Sequence, residues 1–183
     1  MKGYYFITDN KLSIKGNVAD VQNAISAGVE IVQYRNKTAT SHQMYEEALS
    51  LKNLCKKALF LVNDRVDIAM AVEADGVHLG ETDIPYEIAR KLLGPDKIIG
   101  VSVTNLKQAE KAQELGVNYI GLGPVFATTT KLDAAKPLGI EQLEKIRKCI
   151  VLPIVAIGGI TLENAKQVFA PEEAEFLQHH KVW

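Results

Sequence analysis

The chain has 183 residues, and 21 Lys+Arg against 22 Asp+Glu leave a formal net charge of −1, without the basic excess that marks a binder of polyanionic nucleic acid. Hydrophobic residues at 47% and charged residues at 23% are average for a globular domain able to bury a full core, which excludes bulk disorder. The longest nearly uncharged apolar stretch, Ile150 to Ile160, contains Pro153 and two glycines and falls short of the roughly 20 residues that cross a bilayer. No secretory signal is read at the N-terminus, where only Tyr4 to Ile7 separate Lys2 from Thr8-Asp9-Asn10, so the expected location is the cytoplasm. Cys55 and Cys149 lie far apart, which argues against a disulfide framework or a thiolate metal site and suits a reducing compartment.

In chain order, β-branched runs alternate with amphipathic segments. Strand Tyr4–Asp9 leads to helix Val18–Ala27, strand Glu30–Arg35 to helix Ser41–Lys57, strand Leu59–Asn63 to helix Val66–Glu73, and strand Gly76–Leu79 to helix Pro85–Leu93. Strand Ile98–Val103 then precedes helix Leu106–Leu115, strand Tyr119–Val125 precedes helix Ile140–Cys149, and strand Ile154–Ile157 precedes helix Leu162–Phe169. Most strands are near-continuous apolar runs, as in parallel sheets covered on both faces. Ser41 is placed to cap the second helix and Pro85 to open the fourth; Gly28 and Gly116 read as left-handed C-cap glycines. Repetition at about 20 to 30 residues per βα unit fits an open doubly wound sheet or a closed (βα)8 barrel. The first strand lacks a Gly-x-Gly-x-x-Gly turn, so the barrel is the expected fold.

In such an array chemistry sits at the C-terminal strand ends. The second strand ends in Gln33-Tyr34-Arg35-Asn36-Lys37, whose alternation turns Gln33, Arg35 and Lys37 the same way. Asn63-Asp64 ends the third strand, and Asp83 follows the fourth; each could cap a helix. As a pair beside Arg35 and Lys37, Asp64 and Asp83 suit Mg²⁺ when a phosphorylated ligand supplies the remaining oxygens. His78 reads as a core histidine rather than a ligand or base. Ser102 carries a hydroxyl on the fifth strand, and the sixth runs through Gly121-Leu122-Gly123-Pro124 into the loop Ala127-Thr128-Thr129-Thr130-Lys131, whose hydroxyls and ammonium can donate to phosphate oxygens. The Gly158-Gly159-Ile160-Thr161 turn before the seventh helix reads as half of a barrel phosphate site.

VQYRNK, NDRVDIAMAVEADGVHLGETD, IIGVSVT, YIGLGPVFATTTK and PIVAIGGIT, in this order and spacing, resemble the thiamine-phosphate synthase family from about Tyr4 to about Phe169. The resemblance implies a TIM-type (βα)8 barrel that joins hydroxymethylpyrimidine diphosphate to a thiazole phosphate with Mg²⁺ and releases pyrophosphate. It implies that Gln33, Arg35, Lys37, Asn63, Ser102 and Lys131 bind the pyrimidine diphosphate, and that Asp64 and Asp83 bind Mg²⁺. Thr128, Thr130 and Gly159 would bind the thiazole phosphate. Arg35, Ser102 and Lys131 are the candidate catalytic residues. Against the family pattern, the chain after Phe169 has no β-run. The expectation is therefore a barrel domain over 1–170, truncated after the seventh βα unit, with a divergent tail over 171–183. An unpaired seventh strand would then favour lower stability and association into a homo-oligomer. Competing readings are a relative that isomerises a thiazole phosphate, which would need neither Mg²⁺ nor a diphosphate clamp, and a non-catalytic phosphate-binding remnant.

Overall fold

The computed structural model describes residues 4–128 and 136–168. The chain divides into two compact units, Met1–Val101 and Ser102–Trp183, and among the described residues strands and helices alternate seven times.

In the first unit, β1 (Tyr5–Ile7), β2 (Ile31–Tyr34), β3 (Leu59–Asn63) and β4 (Gly76–Leu79) pair in parallel, each with the next, and β4 pairs with β5 (Ile98–Val103). Helices α1 (Asn17–Ser26), α2 (Ser41–Leu54), α3 (Val66–Ala71) and α4 (Tyr86–Leu93) make the crossovers. Val32, Phe60, Val62 and Val77 of the strands pack in one core with Val21, Ala48, Leu51 and Ala89 of the helices. Each fully buried Leu or Phe side chain contributes about 1.5–3 kcal/mol relative to exposure. At the N-terminal strand ends, Asp75 accepts from the Phe60 amide at 2.7 Å and from Lys52 Nζ at 2.8 Å, while its carbonyl receives the Ile98 amide. One carboxylate thus fastens β3, β4 and α2, and its backbone fastens β5.

The second unit holds α5 (Leu106–Leu115), β6 (Tyr119–Leu122), α6 (Gly139–Cys149), β7 (Ile154–Ala156) and α7 (Ala165–Val168). β6 and β7 are parallel, with Ile120 opposite Ile154 and Leu122 opposite Ala156. The Asn105 side chain caps α5 by accepting from the Gln108 amide at 3.0 Å, and Gly116 closes it in the left-handed conformation. Tyr119, Ile120, Leu122, Leu143 and Ile146 form the buried side of this unit.

β3, β4, β5 and α5 have the expected bounds. The cap of α2 does not: the capping residue is Thr40, and Ser41 is the first helical residue. Thr40 Oγ1 accepts from the Gln43 amide while Gln43 Oε1 accepts from the Thr40 amide, a reciprocal capping box. Thr40→Ala is expected to destabilise the protein by about 1 kcal/mol, measurable as a lower denaturation midpoint, whereas Ser41→Ala, which loses only an exposed hydrogen bond from Arg65, should lower that midpoint less. Pro85 likewise precedes α4 as its N-cap. The seventh helix begins at Ala165 rather than Leu162, because Thr161 and Asn164 close a turn first. Residues 169–183, including the expected divergent tail, lie outside the described residues.

Candidate active site

The first unit gathers polar groups at the C-terminal ends of β1 to β4. Gln33 is buried on β2, and its Nε2 donates to Tyr5 Oη at 2.6 Å. The buried Thr8 hydroxyl accepts from the Arg35 amide at 2.8 Å and faces the Arg35 carbonyl at 3.2 Å, so the chain leaving β2 is stitched to the chain leaving β1. Asp9 Oδ2 lies 3.2 Å from the Arg35 guanidinium, which aims that cation. Two residues on, Lys37 Nζ forms an ion pair with Asp64 Oδ2.

Asp64 follows β3 with φ +60°, a left-handed backbone that side-chain-bearing residues adopt rarely. Its amide donates to the His78 carbonyl at 2.8 Å, which holds the bend and carries the carboxylate toward Asp83. Burial raises the Asp83 carboxyl above the usual range, and a hydrogen bond with Asp64 raises it further; the Gly80 amide, 2.6 Å from Asp83 Oδ2, and the nearby Lys37 partly oppose this. Sequence reasoning thus placed Lys37, Asp64 and Asp83 in one cluster, and the structure brings them together. Asn63 is half-buried at the end of β3. Burial pushes His78 down to about 4 against the opposing charge of Asp64, so its imidazole is neutral near pH 7 and a poor general base, in keeping with a core role. Arg65 turns away, bonded to Asp67 and to Ser41 Oγ.

In the second unit Ser102 is exposed on β5 and Thr128 is half-buried. Beyond the last residues of β6 and β7 the ladder continues: the Val125 amide donates to the Ile157 carbonyl at 2.9 Å and the Phe126 amide to the Gly158 carbonyl at 3.0 Å. Gly158 and Gly159 have φ of +97° and +63°, and a Cβ on Gly159 would stand 2.3 Å from the Ala127 carbonyl oxygen. Asn164 Nδ2 donates to the Gly159 carbonyl and its Oδ1 accepts from the Thr161 amide, which presets the turn. The helix expected from Leu162, straight after the Gly158-Gly159-Ile160-Thr161 turn, starts instead at Ala165, and a turn held by Asn164 lies between. Thr130 and Lys131 lie outside the described residues.

Thr8, Asp9 and Asn164 were not singled out from the sequence. Asp9 carried a signal, since it stands at the end of the first strand in the position where the other strands place their working residues.

The family model described as thiamine monophosphate synthase matches residues 4–175. The chain belongs to the thiamine monophosphate synthase family. It is 51% identical over 166 residues to the thiamine-phosphate synthase of Methanosarcina barkeri, covering 90% of this chain and 76% of that protein. To the thiamine-phosphate synthase of Chloroflexus aurantiacus it is 50% identical over 167 residues, covering 90% and 77%. Among solved structures, thiamine phosphate pyrophosphorylase from Pyrococcus furiosus matches with a TM-score of 0.82 at 44% identity, over 90% of this chain and 78% of that one. The fold class of this thiamine monophosphate synthase family member is a TIM-type barrel, with seven βα units among the described residues.

Proposed function

We propose that the chain is a thiamine-phosphate synthase, a transferase that moves a pyrimidine-methyl group from hydroxymethylpyrimidine diphosphate to a thiazole phosphate. The observation that carries this reading is the pair of anchored cations, Arg35 against Asp9 and Lys37 against Asp64, beside two facing carboxylates. A diphosphate needs such cations, and two carboxyl groups close enough to share a proton, each raising the other's affinity for it, invite a divalent ion in that proton's place. No group of three or more His, Cys, Asp or Glu side chains among the described residues could hold a metal. The donor set therefore fits Mg²⁺, which takes one or two carboxylates and completes its octahedron with phosphate and water oxygens. Asp64 and Asp83 would hold Mg²⁺, and the ion would supply positive charge to the leaving diphosphate.

In the reaction the C–O bond between the pyrimidine methylene and the diphosphate breaks, and its electron pair leaves on the diphosphate oxygen. The thiazole nitrogen lone pair forms the new C–N bond to the methylene carbon. Neither event moves a proton, so the neutral His78 is not needed as a base. Arg35, Lys37 and, in this reading, Lys131 and Ser102 stabilise the charge that gathers on the departing oxygens. Gln33 and Asn63 orient the pyrimidine diphosphate. The Gly158-Gly159 turn, with Thr128 and Thr130, receives the thiazole phosphate. Free thiols at the buried Cys55, pushed up to about 11 by burial, and the exposed Cys149 suit the reducing cytoplasm. No described helix is long and apolar enough to cross a membrane.

Incubating the purified protein with both substrates and Mg²⁺ should yield thiamine phosphate and pyrophosphate in equal amounts. Conversion of the thiazole phosphate to an isomer without the pyrimidine substrate, or no product at all, would overturn the assignment.

A further inference from the structure

The alternation along β2 and the segment after it sorts the residues into two sets. Gln33, Arg35 and Lys37 form the ligand-facing set of the proposed function. Tyr34 and Asn36, the residues between them, are both fastened to one side chain on α2. Glu47 Oε2 accepts from the buried Tyr34 hydroxyl at 2.7 Å and from Asn36 Nδ2 at 3.4 Å, and Glu47 Oε1 accepts from Asn17 Nδ2 at 2.9 Å. Burial drives the Tyr34 phenol upward and the Glu47 hydrogen bond drives it further, which keeps it a donor.

Asn36 passes the hold on to the backbone. Its Oδ1 accepts from the Thr38 amide at 3.1 Å, from Thr38 Oγ1 at 3.3 Å and from the Ala39 amide at 3.1 Å. That Asx turn wraps around Lys37. Arg35 therefore sits between two residues bonded to the same carboxylate, and Lys37 sits within a turn suspended from it. We infer that Glu47 is a positioning residue for the diphosphate clamp: without touching ligand, it sets the direction of Arg35 and Lys37 through Tyr34 and Asn36. The inference rests on the proposed function, because it takes Arg35 and Lys37 as diphosphate ligands.

Glu47→Ala strands three donors, whereas Glu47→Gln can keep the two that reach the clamp, Tyr34 and Asn36. The glutamine carbonyl accepts from Tyr34 and Asn36, and once the Asn17 side chain flips the glutamine amide donates to Asn17 Oδ1, while Asn17 Nδ2 moves to the place where Oδ1 now has no partner. Calorimetry of inorganic pyrophosphate in the presence of Mg²⁺, and separately of the thiazole phosphate, reads the effect in the full chain. Glu47→Ala should weaken pyrophosphate binding about tenfold, the scale of lost hydrogen bonds to a charged group, and leave thiazole-phosphate binding within about twofold of the parent. Glu47→Gln should restore pyrophosphate binding. Equal weakening of both ligands, unchanged pyrophosphate binding, or a glutamine variant as weak as the alanine one overturns the inference. Should Glu47→Ala not fold, Tyr34→Phe, which removes a single hydroxyl, is expected to weaken pyrophosphate binding alone, and unaltered binding there overturns the inference too. Arg35→Ala separates the two readings. If it leaves pyrophosphate binding intact, the proposed clamp itself is wrong; if it weakens binding while the Glu47 variants do not, only the positioning role is.

Discussion

The Asp64→Asn/Asp83→Asn protein is expected to lose Mg²⁺-dependent diphosphate binding and at least about 10³-fold in turnover, the upper scale for removing groups that stabilise a developing charge. The substitutions conserve shape, and an amide oxygen at position 83 can still accept from the Gly80 amide that Asp83 Oδ2 receives at 2.6 Å. What disappears is the pair of carboxyl groups, joined by a hydrogen bond when Asp83 is protonated and both free to ionise toward a cation, and the counter-charge of Lys37. Two carboxylates are too few for a closed protein cage, so the parent should bind Mg²⁺ weakly alone and tightly once diphosphate is added. Calorimetry with and without diphosphate checks both statements. Tight Mg²⁺ binding by the ligand-free parent, or diphosphate binding in the double variant that equals the parent's in the presence of Mg²⁺, would refute the assignment.

The other large effect is expected at Gly159. An alanine there must adopt φ +63° and place its Cβ 2.3 Å from the Ala127 carbonyl oxygen and 2.8 Å from Phe126 Cβ. The first demand costs about 1–3 kcal/mol. The second cannot be met by turning a side chain, because the obstacle is backbone, so the segment 126–128 has to move. A displacement on the order of 1 Å at a positioned ligand group costs about 10²-fold. Gly159→Ala should therefore weaken thiazole-phosphate affinity by about that factor and lower the melting temperature, with pyrophosphate affinity much less affected. Parental affinity for the thiazole phosphate in this variant would remove the turn from the binding site.

The elements whose ends coincide with expectation are those bounded by unambiguous chemistry. β4 starts at Gly76, behind a charged residue, and α5 runs from an asparagine cap to a left-handed glycine. β6 stops at Leu122 although the apolar run reaches Val125: Pro124 has no amide to donate, and the hydrogen bonds to the chain after β7 pass over it to the Val125 and Phe126 amides. At α2 two neighbouring hydroxyl residues competed for the cap, and the deciding signal was Gln43, three residues after Thr40 but only two after Ser41. The cluster of Lys37, Asp64 and Asp83 was legible because strand ends in parallel βα arrays converge. Glu47 was not legible. In the sequence it is one acid of Tyr45-Glu46-Glu47 in the first turns of a helix; only the crossover of α2 onto β2 shows that this carboxylate reaches Tyr34 while Glu46 stays at the surface with His42.

The left-handed backbone at Asp64 sets two kinds of selection against each other. A residue with a Cβ at φ +60° carries a conformational penalty of about 1 kcal/mol or more, which glycine would not. Glycine would also keep the amide that donates to the His78 carbonyl, so the backbone does not resist the exchange, and the lost ion pair with the half-exposed Lys37 offsets little of the gain. It would remove the carboxylate proposed to hold Mg²⁺ and leave Lys37 without its counter-ion. A directed-evolution campaign that scores heat tolerance alone will therefore tend to collect Asp64→Gly, and it will deliver a hardier chain that has traded its chemistry for its backbone.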